Sequence, residues 1–146
     1  MTRTRRPGPL ALVGGIALSV GLAGLVAAWV WAPGLQPSRV EISMRYSSFA
    51  PAEVTVKAGV ETTIVLINDD PIDHEWIVGD AATHERHRTG TEPIHTARPT
   101  EVSVPASTTV VTVVRFREAG ELQFICHLPG HEAYGMVGTL RVVAPG

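Results

Sequence analysis

Phe124-Ile125-Cys126-His127-Leu128-Pro129-Gly130-His131-Glu132-Ala133-Tyr134-Gly135-Met136 holds the only cysteine of the chain, a histidine five positions on and a methionine five beyond that. A thiolate, an imidazole and a weak thioether, joined by one further imidazole, make the ligand set of a copper site that exchanges single electrons. Soft sulfur suits Cu(I) and imidazole suits Cu(II), so a compromise site changes oxidation state with little rearrangement. The spacing predicts Cys126 at a strand end, with a tight loop through Pro129, Gly130 and Gly135 returning His131 and Met136 to the same point.

The stretches upstream carry the period of strands. Val40, Ile42, Met44 and Tyr46 alternate with polar residues, as in a half-buried strand. Phe49-Ala50-Pro51 is read as a turn into Val54-Thr55-Val56. Residues 62 to 67 are β-branched or aliphatic and end at Asn68-Asp69-Asp70-Pro71, a turn cluster. His74 to Val78 reads as a short strand, and further strands are expected over 101–104, 108–116, 122–126 and 138–143. Residues 79 to 99 are polar, without clear period, and are expected to form a long loop. Short strands at regular spacing predict an all-β domain, a Greek-key β-sandwich.

The chain begins differently. Residues 10 to 31 carry no charge and follow Arg3, Arg5 and Arg6. A run of about 20 apolar residues is long enough to cross a bilayer as a helix. The arginines orient it with its N-terminus in the cytoplasm, and Trp29 and Trp31 close it as interfacial aromatics. The alternative is a cleaved secretory signal ending near Val26-Ala27-Ala28, but the run exceeds the usual signal core. We therefore expect a membrane anchor over residues 1–32, a linker over 33–38 and one domain over 39–146. Either reading places that domain outside the cytoplasm, at the periplasmic or outer face of the cell membrane.

Without the three N-terminal arginines, nine basic side chains stand against fourteen acidic ones, a net charge of −5. That balance argues against nucleic acid as a partner and favours proteins with basic faces. A lone cysteine cannot form an internal disulfide, so in an oxidising compartment a metal is a use for it.

His74 follows the Asn68–Pro71 turn, where a loop can reach the Cys126–Met136 loop at one end of the sandwich. A first histidine from mid-chain and a late Cys-His-Met set resemble the cupredoxins, the blue copper proteins of plastocyanin and azurin type. Phe49-x-Pro51 before Val54-Thr55-Val56-Lys57-Ala58-Gly59, and Ile67-Asn68-Asp69-Asp70 before His74-Glu75-Trp76, are similar to family members. The Cys126-x4-His131-x4-Met136 spacing is similar to that of rusticyanin and auracyanin. The resemblance implies one type 1 copper ion held by His74, Cys126 and His131, with Met136 as a long axial ligand. It also implies ligation through histidine Nδ1 atoms, with one imidazole edge facing solvent. Singly, Cys126 and Met136 read as core filler and His74 as a surface histidine; the reading rests on their joint spacing. Zinc is the rival metal, but a thioether serves it poorly.

The remaining histidines divide. His84, His87 and His95 fall in the expected loop and could hold a second metal, or lie solvated without a role. His127, beside Cys126, is read as exposed or structural. The expected function is electron transport: an anchored, monomeric carrier that meets redox proteins transiently through an apolar patch of Leu128, Pro129, Ala133 and Tyr134. The alternative is copper binding for tolerance, storage or delivery. Catalysis is not expected, because four protein ligands leave no open position for a substrate.

Overall fold

The computed structural model describes residues 37–90 and 98–145. Nine strands lie among them: β1 (Ser38–Arg45), β2 (Ser48–Ala50), β3 (Glu53–Lys57), β4 (Glu61–Asn68), β5 (His74–Gly79), β6 (Glu101–Val104), β7 (Thr109–Arg115), β8 (Gly120–Ile125) and β9 (Val137–Val143). They form two sheets, ordered β2-β1-β4-β7 and β3-β9-β8-β5-β6. The all-β sandwich expected from the two-residue period is therefore present. Strand β1 buries Ile42 and Met44 and exposes Glu41 and Arg45, as its alternation requires.

One parallel pairing in each sheet helps to set its register. Ile42 of β1 lies opposite Leu66 of β4, and Val54 of β3 opposite Leu140 of β9. Ile42, Met44, Phe49 and Leu66 join Trp76, Phe124 and Leu140 in one buried cluster. Each such side chain contributes roughly 1.5–3 kcal/mol by leaving water. Phe49 and Phe124 meet edge to face, with ring centroids 5.1 Å apart. Gly138 faces Phe124 across the β8–β9 pair, and a Cβ there would overlap the ring. Glycine at 138 is what lets Phe124 fill the core below Cys126.

The fold departs from expectation in two places. Phe49 and Ala50 lie in strand β2 rather than a turn. The actual turn is Tyr46-Ser47, with φ of 55° and 51°. Residues other than glycine or asparagine are strained there, and hairpins with both central φ positive usually recruit Asn-Gly. The Asp70 carboxylate offsets the strain by accepting the Tyr46 and Ser47 N–H groups at 2.8 and 2.9 Å.

The second departure corrects the long loop expected over 79–99: Ala81–Thr89 is a helix, α1. Asp80 caps it, accepting the Thr83 N–H at 2.9 Å. Arg86, His87 and Arg88 fill the last turn, where cations complement the helix dipole. Periodicity missed it because its buried residue is a histidine, His84, and no apolar stripe exists. Among the described residues no helix is long and apolar enough to cross a membrane. The anchor expected over residues 1–32 lies outside the described residues, as does His95.

Candidate metal centre

Two cross-braced loops build the site at one end of the sandwich. The first joins β4 to β5. Buried Asn68 donates to the carbonyls of Ile72, Val104 and Pro105 at 2.8–3.0 Å and accepts the Asp70 N–H at 2.9 Å. Asp73 accepts the Ala106 N–H, and the Ser107 N–H donates to the Asp70 carbonyl. His74 therefore enters β5 from a loop tied to both β6 and the segment after it.

The second loop joins β8 to β9. The Cys126 N–H donates to the Met136 carbonyl at 3.2 Å, and the Met136 N–H donates to the His131 carbonyl at 3.0 Å. Tyr134 N–H to Gly130 and Gly135 N–H to Glu132 close the intervening turns. Gly130 and Gly135 take φ of 87° and 94°, a region in which side chains are strained. The prolyl and glycyl residues singled out in the sequence thus fold the loop back on itself.

The donor atoms of His74, Cys126 and His131 lie within 4.8 Å of one another. Nδ1 of His131 is 3.2 Å from Nδ1 of His74 and 3.2 Å from the Cys126 sulfur. The Glu75 N–H points at that sulfur from 3.3 Å. Nε2 of His74 lies 2.8 Å from Asp70 Oδ2. A carboxylate only accepts, so Nε2 carries the proton and the His74 Nδ1 lone pair faces the cluster. His74 is buried and His131 half-buried, so His131 is the more accessible of the two histidines. Met136 is buried beside them.

Electrostatics match a cation. Burial pushes the Cys126 thiol up to about 11, against the opposing pull of the Leu128 and Glu75 N–H groups. A buried thiolate there requires a positive ion in place of its proton. Burial, and then the neighbouring His74 ring, hold His131 below its ordinary value, so it stays a neutral donor. Burial alone would raise the Asp70 carboxyl, but the Ser47 and Tyr46 N–H groups and His74 outweigh it and lower it. Asp70 was not singled out from sequence as part of the site. A carboxylate four positions before a candidate ligand histidine, inside a turn, was the available signal.

Beside this centre lies a second group of imidazoles. His84 and His127 face each other, Nδ1 to Nε2, at 3.0 Å, and His87 stacks on His127 with centroids 5.6 Å apart. His84 and His87 do not form the chelate that their spacing suggested: His84 Nε2 meets backbone carbonyls, and so does His87 Nδ1. Nor is His127 exposed; its side chain is buried under α1. Burial brings it down to about 4, with His84, His87 and Arg88 acting in the same direction against Glu132.

Three large hydrophobic side chains on the loops at this end are open to solvent: Tyr134 on the β8–β9 loop, Ile72 on the β4–β5 loop and Tyr46 on the β1–β2 turn. Leu128, expected in an exposed apolar patch with Pro129, Ala133 and Tyr134, is half-buried and packs against the core.

Comparison with known proteins agrees with this geometry. The chain is 34% identical over 97 residues to the copper-resistant cuproprotein CopI of Rubrivivax gelatinosus, a match covering 64% of this chain and 59% of that protein. It is 28% identical over 144 residues to the protein of the same name in Pseudomonas aeruginosa, covering 76% and 80%. Among solved structures it resembles auracyanin A of Chloroflexus aurantiacus, a "blue" copper protein, with 26% identity, a TM-score of 0.59, and coverage of 73% and 99%. Residues 38–143 match the model of copper binding proteins of the plastocyanin/azurin family, and the chain belongs to that family.

Proposed function

We propose that this protein is an exported blue copper protein that holds one type 1 copper ion and passes single electrons. The observation that carries the reading is the largely buried cluster of one cysteine sulfur and two histidine Nδ1 atoms within 4.8 Å. His74, Cys126 and His131 would hold the ion and Met136 would be the weak fourth ligand. Copper, when bound, supplies the one-electron couple. The chain supplies rigidity. Asp70 fixes the His74 ring, the Glu75 N–H fixes the sulfur, and the backbone bonds within the β8–β9 loop hold Cys126, His131 and Met136 at set distances. A cage that does not move between oxidation states lowers the reorganisation needed for transfer.

His131, the more accessible of the two histidines, with Tyr134 nearby, is the proposed contact for transient redox partners. Anchoring through residues 10–31 would keep the domain at the outer face of the cytoplasmic membrane as a monomer. No open metal position is left for substrate, so we read a carrier and not an enzyme. The test is titration of the full chain, in detergent, with Cu(II). Intense thiolate-to-copper colour that saturates at one equivalent and bleaches reversibly with a mild reductant is the expected result. Weak colour would overturn the reading.

A second reading is favoured by the names of the relatives: that the copper centre serves copper tolerance. Cells lacking the protein would then grow more poorly in added copper, and the wild-type gene would restore growth. Unchanged growth across the copper range would exclude it.

A further inference from the structure

The imidazoles under α1 contain a chain of proton positions that ends on an unmet lone pair. His84 Nε2 lies 3.2 Å from the Gly79 carbonyl and 3.3 Å from the Gln123 carbonyl. Carbonyls only accept, so Nε2 bears the proton and Nδ1 is a lone pair. That lone pair faces His127 Nε2 at 3.0 Å, so His127 donates from Nε2. Its single proton being used there, His127 Nδ1 is bare. This atom belongs to a side chain only 4% exposed, and it has no hydrogen-bond partner. Glu132 Oε2 lies 3.2 Å away, another lone-pair donor, but off the line a hydrogen bond would need.

Two lone-pair donors this close, one of them on a buried ring, repel unless a cation joins them. A metal, unlike a proton, takes its ligands at an angle. With bonds of about 2.0–2.1 Å, donors this far apart subtend roughly 100° at the ion, close to tetrahedral.

We propose that His127 Nδ1 and Glu132 Oε2 form a second cation site, distinct from the Cys126 centre, for a divalent transition metal, Cu2+ above all. Imidazole and carboxylate both accept that class of ion, and Cu2+ stands highest in affinity among the common divalent metals. The surroundings have the form that metal sites take. A ligating histidine donates its other ring N–H to a fixed partner, here His84, and a ligating carboxylate is itself hydrogen-bonded. Arg88 does this for Glu132, reaching Oε1 at 2.6 Å and sharing Oε2 at 3.1 Å. A surface groove of about 340 Å³, lined by Arg88, His127, Leu128, Gly130, Glu132 and Ala133, opens the site to ions and to water as the remaining ligands.

The proposal does not depend on electron transfer at the first centre. Its test is a Cu(II) titration of the full chain already holding one equivalent, followed by electron paramagnetic resonance. A second equivalent should bind with nitrogen and oxygen ligands and add no thiolate colour. Glu132→Gln should weaken that second binding at least tenfold and leave the first-equivalent colour intact. His127→Phe, whose folding is reported by the same first-equivalent colour, should abolish the second binding. Wild-type protein that takes up one equivalent only, or a Glu132→Gln protein that binds the second as tightly as wild type, would overturn the proposal.

Discussion

Two pairs of imidazoles meet at the Cys126-His127 dipeptide, and their nitrogens approach to nearly the same distance. His74 and His131 bring nitrogens to 3.2 Å, His84 and His127 to 3.0 Å. The difference lies in what holds the far side of each ring. Asp70 takes the His74 proton away from the cluster, so a lone pair faces inward and a sulfur stands 3.2 Å from its partner ring. In the second pair, two backbone carbonyls fix the His84 proton, and His127 spends its own proton on His84. The first pair is therefore open to a metal between its rings. The second closes into a hydrogen bond and displaces its vacant lone pair outward, to Glu132. The pairs differ in how their second proton is held. Asp70 leaves His74 Nδ1 bare and nothing fixes the proton of half-buried His131, so a metal can displace it. Both tautomers of the His84–His127 pair are instead set by the carbonyls on His84.

The largest effect should come from removing the atom that only the first pair has beside it. Cys126→Ser should abolish thiolate-to-copper colour entirely; surviving colour in visible absorption would refute the ligand assignment.

Asp70→Asn should come next, because one carboxylate serves both the Tyr46-Ser47 turn and the His74 ring. Copper affinity should fall about 10- to 100-fold, as it does when an outer partner of a ligating histidine is lost. Loss of the buried acceptor should also cost about 1–3 kcal/mol of stability, read as a lower urea midpoint.

The second pair can be probed by pH in metal-free protein under chelator. His127 is held at about 4, against 6.5 for a free histidine, so the unfolded chain binds a proton first as pH falls. Stability on this account is complete above about 6.5 and is lost progressively down to about 4, by up to ~3 kcal/mol. His84 and His131 are shifted in the same direction and add to the slope. His127→Phe should flatten the dependence of the urea midpoint on pH over that window; an unchanged slope would show that the ring does not titrate differently on folding.

The smallest effect separates the pairs most cleanly. Asp80→Ala removes the cap of α1 and should cost about 1 kcal/mol. It should loosen the cover over His127 while the copper colour stays unchanged, and a shifted colour would mean that α1 also supports the first centre.

The contrast also shows where sequence reading succeeds. Val54-Thr55-Val56 and Val40-x-Ile42-x-Met44 announce strands because alternation along the chain maps directly onto the two faces of a sheet. Cys126, His131 and Met136 are legible because one short loop carries them, and its glycines allow the reversal. Helix α1 was not legible: its one inward residue is His84, which looks like loop polarity to any test built on apolar spacing. Asp70 read as a turn former, and that is half of its role.

By itself, then, the sequence determined the sandwich and the loop that brings Cys126 and His131 together, because both follow from local period and local spacing. Only the tertiary structure decided that Asp70 orients His74, that His131 is the less buried of the two cluster histidines, and that His84 sits against His127. Those relations join residues on different loops, and in a histidine the proton goes to whichever nitrogen the surrounding carbonyls and carboxylates leave for it. Spacing along the chain carries no record of that choice.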